Sequence, residues 1–320
     1  MRIQMPSSAN RIITVTPNPA LDKTLVVDEF VERGVVRVRE VFQYPSGKGL
    51  NVSRAIARLG GKSIATGFLG GPIGKWIEEG LMAEGIECDF VFVKACTRTS
   101  TTVRCDAMGI EVHIVEPGER IELDEVERLF AKLKMYAGED SIFIFCGSLP
   151  PGVSDDFYRR CIECVQSEGA IALLDASGKP LSAALSSSPF LVKPNEEELS
   201  EALGVEFHDD LKLAEAIERL LSCGIRCAVV SQGERGAIGG CEDGIWRAVP
   251  PAVNAVNTIG SGDAMLGGIA YALCQGMRFE EMLRFGVAAG TANVLVDGPC
   301  YFDRECVLEI YRAVKLERIA

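Results

Sequence analysis

Residues 257–268 read NTIGSGDAMLGG, and Gly260, Ser261, Gly262 and Asp263 have the types and spacing to handle an anion. Two glycines around a serine let a phosphate approach the backbone, because no Cβ stands in the way. The nearly uncharged run that follows, to Cys274, reads as a buried helix. Its first free N–H groups and the positive end of its dipole would face that phosphate. Asp263 in its first turn is favoured as a carboxylate and expected to stay ionised. Taken alone, the four residues also read as an ordinary glycine turn with an aspartate at a helix start.

Three other constellations keep the motif company. Residues 46–51, SGKGLN, place Lys48 between Gly47 and Gly49 and put Asn51 at a helix start. Residues 193–198, KPNEEE, place Asn195 and Glu198 three apart, able to share a helix face and hold a hydrated Mg²⁺. A proline-initiated, acid-rich first turn explains that segment equally well. Residues 231–236, SQGERG, form a glycine loop after the strand pattern CAVV. No Gly-x-Gly-x-x-Gly occurs, so a dinucleotide-binding fold has no support. Gly61-Lys62-Ser63 has the ending of a P-loop, but Ile56 stands where its first glycine belongs.

These loops need strands to end where they begin. The apolar runs at 12–16, 141–147, 171–176, 190–195 and 227–233 read as strands buried on both faces. Helical patterns lie between them. Val52, Ala55, Ile56 and Leu59 recur at helical spacing, as do Val126, Leu129, Phe130 and Leu133. The alternation predicts an α/β fold, a three-layer α/β/α sandwich around a mostly parallel sheet. Residues 24–44 and 90–115 lack a helical period and are rich in Val, Thr and Phe. They are expected to be antiparallel strands of one small sheet, a lid, a dimer surface or both. The core is then 11–23, 45–89 and 116–320, with 1–10 an N-terminal extension.

Composition narrows the partners. The 320 residues carry a net charge of −12 and no basic stripe, which argues against nucleic acid. No apolar run approaches the ~20 residues of a membrane span, and no signal-peptide stretch opens the chain. A cytoplasmic protein is expected. Twelve cysteines lie scattered, with one Cys-x-x-Cys at Cys161/Cys164. With only two histidines, buried reduced thiols are favoured over a zinc site.

In order and spacing, these motifs resemble the PfkB (ribokinase-like) family of carbohydrate kinases from about Ile12 to Val314. GSGDAMLGG is similar to the family's C-terminal signature, which implies that Asp263 is the catalytic base and Gly260, Ser261 and Gly262 the anion hole. SGKGLNVSRAIARLGG is similar to the N-terminal signature, and KPNEEEL to the Asn-x-x-Glu motif linked with Mg²⁺. The opening TVTPNPALD, with CGSLPPGV, TRT and VKPN, resembles the phosphosugar branch. That branch holds 1-phosphofructokinase, 6-phosphofructokinase of the ribokinase type and tagatose-6-phosphate kinase. The resemblance implies a ribokinase-like core with a β lid and ATP·Mg²⁺ as phosphoryl donor. Asp22, Gly47, Asn51 and Ser148 would hold the sugar, and Arg98 with Lys48 its existing phosphate. Lys193, Asn195, Ser231, Gly233, Gly236, Val287 and Thr291 would line the nucleotide, with Asn195 and Glu198 at the metal. A homodimer through the lid is implied, with Arg37 reaching across it.

Ser46 departs from the signature's usual glycine, Cys146 from a serine and Gln232 from a leucine. None of these removes a group the chemistry needs. Lys48 between its glycines is similar to 1-phosphofructokinase and tagatose-6-phosphate kinase, whereas FEEMLRFGVAAGTAN is similar to the 6-phosphofructokinase. Fructose 1-phosphate is the expected acceptor, with the other two sugars as alternatives. From other classes, a non-catalytic sensor of nucleotide or sugar phosphate and a redox or zinc protein also stand.

Overall fold

The computed structural model describes residues 11–31 and 33–319; the extension expected at 1–10 lies outside them. In chain order the first elements are β1 (Arg11–Thr16), β2 (Ala20–Val27), β3 (Val38–Ser46), α1 (Lys48–Arg58), β4 (Ile64–Gly70) and α2 (Gly71–Ala83). Next come β5 (Glu87–Cys88), β6 (Val91–Val93), β7 (Arg98–Cys105), β8 (Ile110–Val115), α3 (Leu123–Tyr136), β9 (Ser141–Cys146) and α4 (Phe157–Gln166). Then follow β10 (Ile171–Asp175), α5 (Gly178–Leu185), β11 (Leu191–Val192), α6 (Glu196–Leu203), α7 (Asp210–Ser222) and β12 (Cys227–Ser231). The last are β13 (Ala237–Cys241), β14 (Gly244–Val249), α8 (Ser261–Cys274), α9 (Phe279–Asn293), α10 (Arg304–Ala313) and β15 (Lys315–Arg318).

The large sheet runs β15-β14-β13-β12-β11-β10-β9-β1-β4-β5, with β6 also paired to β4. It is parallel from β12 to β5, while β12 through β15 pair antiparallel. Both faces are covered, which explains why these strands are continuously apolar. Along β1, Ile12 joins a core with α1, α8, α9 and α10, whereas Ile13 and Val15 join a core with α3, α4 and α7. The protein is therefore a three-layer α/β/α sandwich. Helix α8 is apolar all round because it lies between neighbours. A Cβ on Gly267 would meet Ala55 Cβ at 2.6 Å, and one on Gly268 would meet Ala289 Cβ at 2.8 Å.

The small sheet runs β3-β2-β7-β8 and differs from the sequence expectation. Its central pair is parallel, from Ala20 opposite Arg98 to Val26 opposite Arg104. Only β2–β3 and β7–β8 are antiparallel. The reason is topological. β2 follows the carboxyl end of β1 and β7 follows that of β6, and β1 and β6 both run parallel to β4. Two strands leaving one sheet edge in the same direction lie side by side parallel. The strands also begin at Ala20 and Arg98, rather than at 24 and 90, and Val91–Val93 belongs to the large sheet.

Candidate active site

The carboxyl ends of the parallel strands open onto a cleft of about 890 Å³, the place where an open α/β sheet binds ligands. Gly260, Ser261, Gly262 and Asp263 line it, and so do all of Lys193, Asn195, Ser231, Gly233, Gly236, Val287 and Thr291. They come from the start of α8, the segment after β11, the segment at and after the end of β12 and the body of α9.

Gly260 caps α8 in the left-handed region, with φ 79°. A Cβ there would also stand 2.9 Å from Pro299 Cβ, so glycine is required twice over. Asp263, in the first turn, is 7% exposed. Its Oδ2 accepts from Asn51 Nδ2 at 2.8 Å. Here the electrostatics depart from the expectation of a dipole-stabilised anion. Burial, with the negative charge of Asp175 adding to it, pushes Asp263 up to about 6, against Lys48, Asn51 and Lys193 pulling it down. The largest cause is the desolvation of the buried Asp263 side chain itself. The result is a carboxylate near neutrality, the range where a general base works best.

Asp175 was not among the residues singled out in the sequence, yet it organises the cleft. It ends β10 with its side chain 2% exposed, 2.8 Å from Lys48 Nζ and 2.8 Å from Lys193 Nζ. Burial alone would raise its carboxyl, but the two ammoniums hold it below the usual range. Lys48 is held far above a lysine's ordinary value. Burial opposes that, and Asp175, Glu198 and Asp263 overcome it. The sequence signal for Asp175 is slight: one charged residue closing an apolar strand.

Asn195 and Glu198 meet as the reciprocal cap of α6, with Asn195 the cap residue and Glu198 in the first turn. Asn195 Oδ1 accepts from the Glu198 amide at 2.8 Å, and Glu198 Oε2 accepts from the Asn195 amide at 2.9 Å. This satisfies two otherwise free helix N–H groups. Glu198 Oε1 remains, 3.5 Å from Lys48 Nζ. Helix α1 likewise begins at Lys48, with Gly47 as its cap, rather than near Asn51.

Residues expected to hold the sugar are divided. Asn51 sits with Asp263. Asp22, on β2, lines a second cavity of about 360 Å³ between the small sheet and the segments holding Asn257 and Asp297. Burial raises its carboxyl, against Ser46, Arg98 and Arg54. Arg98 lines neither cavity. It donates to the carbonyls of Glu116 at 2.6 Å and Asn18 at 3.1 Å, and its Nε–H is buried without a hydrogen-bond partner. Ser148 is exposed and accepts from Asn18 Nδ2 at 3.3 Å. Lys48 lies on the cleft side, with Asp175 and Glu198, and Arg37 is exposed ahead of β3. Asn18, which touches both Arg98 and Ser148, was missed in the sequence. So was Arg54, buried beneath Asn51. The twelve cysteines are free thiols; Cys161 is fully buried, and burial pushes its thiol well up.

A family model described as pfkB family carbohydrate kinase matches residues 16–305. The chain is 36% identical over 293 residues to 1-phosphofructokinase of Borreliella burgdorferi, covering 91% of this chain and 94% of that one. It is 34% identical to the ATP-dependent 6-phosphofructokinase isozyme 2 of Escherichia coli, covering 94% and 98%. It is 32% identical to tagatose-6-phosphate kinase of Staphylococcus epidermidis, covering 95% and 99%. Among solved structures, phosphofructokinase-2 from Escherichia coli in complex with potassium aligns with a TM-score of 0.91 at 34% identity, covering 95% and 98%.

Proposed function

The chain belongs to the pfkB family of carbohydrate kinases and is an ATP-dependent sugar-phosphate kinase, and we propose that its acceptor is fructose 1-phosphate. The product is then fructose 1,6-bisphosphate. The observation that carries this choice is the 36% identity to a 1-phosphofructokinase, against 34% and 32% for relatives named for the other two sugars.

In this reading ATP fills the 890 Å³ cleft, with its adenine at Val287 and Thr291 and its phosphates at Lys193 and the α8 N-terminus. Ser231, Gly233 and Gly236 flank the nucleotide. The sugar lies under the small sheet, its hydroxyls at Asp22 and Asn51 beside Gly47 and Ser148. Its existing phosphate takes the unpaired Arg98 Nε–H, a donor whose burial without a partner is otherwise costly. Asp263 accepts the proton of the attacking hydroxyl. That oxygen forms the new P–O bond as the bond to the ADP oxygen breaks. The transition state is loose, so the base mainly orients the hydroxyl and collects its proton late. Lys48 and Lys193 exchange Asp175 for phosphate oxygens. The N–H groups of residues 260–263 meet the charge on the moving group.

Mg²⁺ fits the cleft through Glu198 Oε1, the oxygen its capping role leaves over, with Asn195 beside it. An ion that keeps most of its waters needs little more from the protein and would supply charge neutralisation on the phosphates. The same reading includes a homodimer through the small sheet, which exposes Val38, Val41, Val112, Ile114 and Val115. Sedimentation of the wild type against Val41→Asp checks this, with a dimer reduced to monomer as the expected result.

The test of substrate is ADP release with Mg·ATP against fructose 1-phosphate, fructose 6-phosphate, tagatose 6-phosphate, fructose and ribose. Turnover highest on fructose 1-phosphate is expected. Preference for either 6-phosphate overturns the choice of sugar, and preference for an unphosphorylated sugar overturns the role of Arg98.

A further inference from the structure

Arg54 leads the largest fully buried side chains among the described residues, with 1% of its surface exposed. A guanidinium has five N–H donors, and each has a partner. Nε donates to Glu84 Oε2 at 2.5 Å. Nη2 donates to Glu84 Oε1 at 3.1 Å and to the Pro45 carbonyl at 2.8 Å. Nη1 donates to Asn51 Oδ1 at 3.0 Å and to the Pro299 carbonyl at 3.2 Å. Tyr301 lies against the guanidinium, 4.7 Å from its ring centroid, and donates to Glu84 Oε1 at 2.9 Å.

Such a network is an expensive way to fill space. A buried ion pair is often no more stabilising than well-packed apolar side chains of the same volume. What an apolar residue could not do is direct hydrogen bonds, and three of these partners stand directly behind residues of the site. Pro45 is the last residue but one of β3, where the small sheet returns to the core. Pro299 is the residue against which Gly260 is packed. Asn51 holds the carboxylate of Asp263.

We propose that Arg54 is a positioning residue for phosphoryl transfer, fixing the Asn51 amide that holds Asp263 and tying that pair to Pro45 and Pro299. The logic of the amide is forced. Arg54 can only donate, so the Asn51 atom facing it is Oδ1. Nδ2 must then point the other way, to Asp263, which as a carboxylate can only accept. One rigid fork thus sets the orientation of the base, of the cap behind the anion hole and of the lid's attachment together. The inference rests on the reading of Asp263 as the base.

A consequence follows for pH. Asp263 is faced by Asp175 from β10, Lys48 and Asn51 from α1, Lys193 beyond β11 and the Cys300 thiol behind α8. Of these, Lys48, the Asn51 hydrogen bond and Lys193 favour the carboxylate. Freeing Asn51 weakens that bond and lets Asp263 hold its proton to higher pH.

The test compares wild type, Arg54→Lys, Glu84→Gln and Asp263→Asn in kinase assays from pH 5 to 9, at a temperature where each is folded. Arg54→Lys keeps a cation for Glu84 but lacks the fork. We expect kcat to fall at least 10-fold with KM for ATP within about twofold, and the acid limb to move to higher pH. Glu84→Gln keeps an acceptor and should move kcat and the limb in the same direction by a smaller amount. Folded Arg54→Lys with normal kcat and an unmoved limb overturns the proposal. If Arg54→Lys does not fold, Glu84→Gln decides: an unchanged kcat and limb overturn it, and a shared shift supports it. Normal turnover by Asp263→Asn would instead sink the assignment of the base, a separate failure.

Discussion

Asp175 and Lys193 face each other at 2.8 Å across the ends of two neighbouring strands, with side chains 2% and 4% exposed. Lys48 reaches the other oxygen of the same carboxylate at 2.8 Å. One buried anion therefore stores two cations where ATP's phosphates are proposed to lie. Removing one partner of a buried pair leaves an uncompensated charge and costs about 3–5 kcal/mol. Asp175→Asn should lower the melting temperature, and ATP should restore more of it than it adds to the wild type, because phosphate replaces the missing anion. Scanning calorimetry with and without ATP checks this. An ATP effect no larger than in the wild type would mean the lysines do not meet the nucleotide. Asp175 also raises Asp263, so the acid limb of activity should move to lower pH, opposite to Arg54→Lys.

Asp263, the proposed base, is pushed up to about 6 and should set the pH dependence of the wild type. Turnover on fructose 1-phosphate should be near its plateau above pH 7 and fall about tenfold per pH unit well below 6. Asp263→Asn should lower kcat about 10²-fold or more, in line with acid–base contributions, and flatten that limb. A limb that survives the substitution would show that another group titrates.

The same carboxyl makes a claim about stability. Its folded pKa lies above an unfolded aspartate's 3.8, so it favours folding at low pH. That contribution is present below about pH 4 and is lost as pH rises through about 6. At pH 8 the buried carboxylate is a liability on the order of 2–3 kcal/mol. Asn at this position still accepts from Asn51. The Asp263→Asn protein should therefore melt a few degrees higher than wild type at pH 8, and the gap should close towards pH 4. Equal melting temperatures at pH 8 would contradict the raised pKa.

The glycines of the proposed anion hole should separate by substitution. Gly260→Ala meets a left-handed backbone and a Cβ 2.9 Å from Pro299 Cβ, and should lose stability by ~1–2 kcal/mol or more, together with activity. Gly262 is helical, and its Cβ would sit 3.4 Å from Lys193 Nζ. Gly262→Ala should keep or slightly raise the melting temperature, since alanine favours the helix by ~0.5–1 kcal/mol. It should nonetheless raise KM for ATP, because the methyl enters the space proposed for the phosphates. Paired melting and kinetic measurements distinguish the two.

Arg98→Ala removes charge-assisted bonds worth roughly 1.5–3 kcal/mol. KM for the sugar phosphate should rise at least ~10-fold, with KM for ATP nearly unchanged. Equal increases in both would mean that Arg98 supports the fold through Asn18 and Glu116 and does not touch the substrate.

The layered α/β core and its strand-end loops were legible because they are local. Buried parallel strands write continuous apolar runs, helices write a 3.6-residue period, and GSGD, SGKGLN and KPNE announce where backbone turns at a sheet edge. The twelve residues expected at the anion hole, base, nucleotide and metal, with Lys48, line one cleft for that reason. What the tertiary structure alone decided is how charges separated by a hundred residues or more share one low-dielectric volume. Asp175 is 127 residues from Lys48, and Asn51 is 212 from Asp263. Neither distance leaves a trace in spacing. Burial, which no local pattern measures at a helix mouth, pushes the Asp263 carboxyl up to about 6, where the sequence led to the expectation of a dipole-held anion. The direction of β7 against β2 was likewise set by which sheet edge the two excursions leave, a property of topology that residue types do not encode.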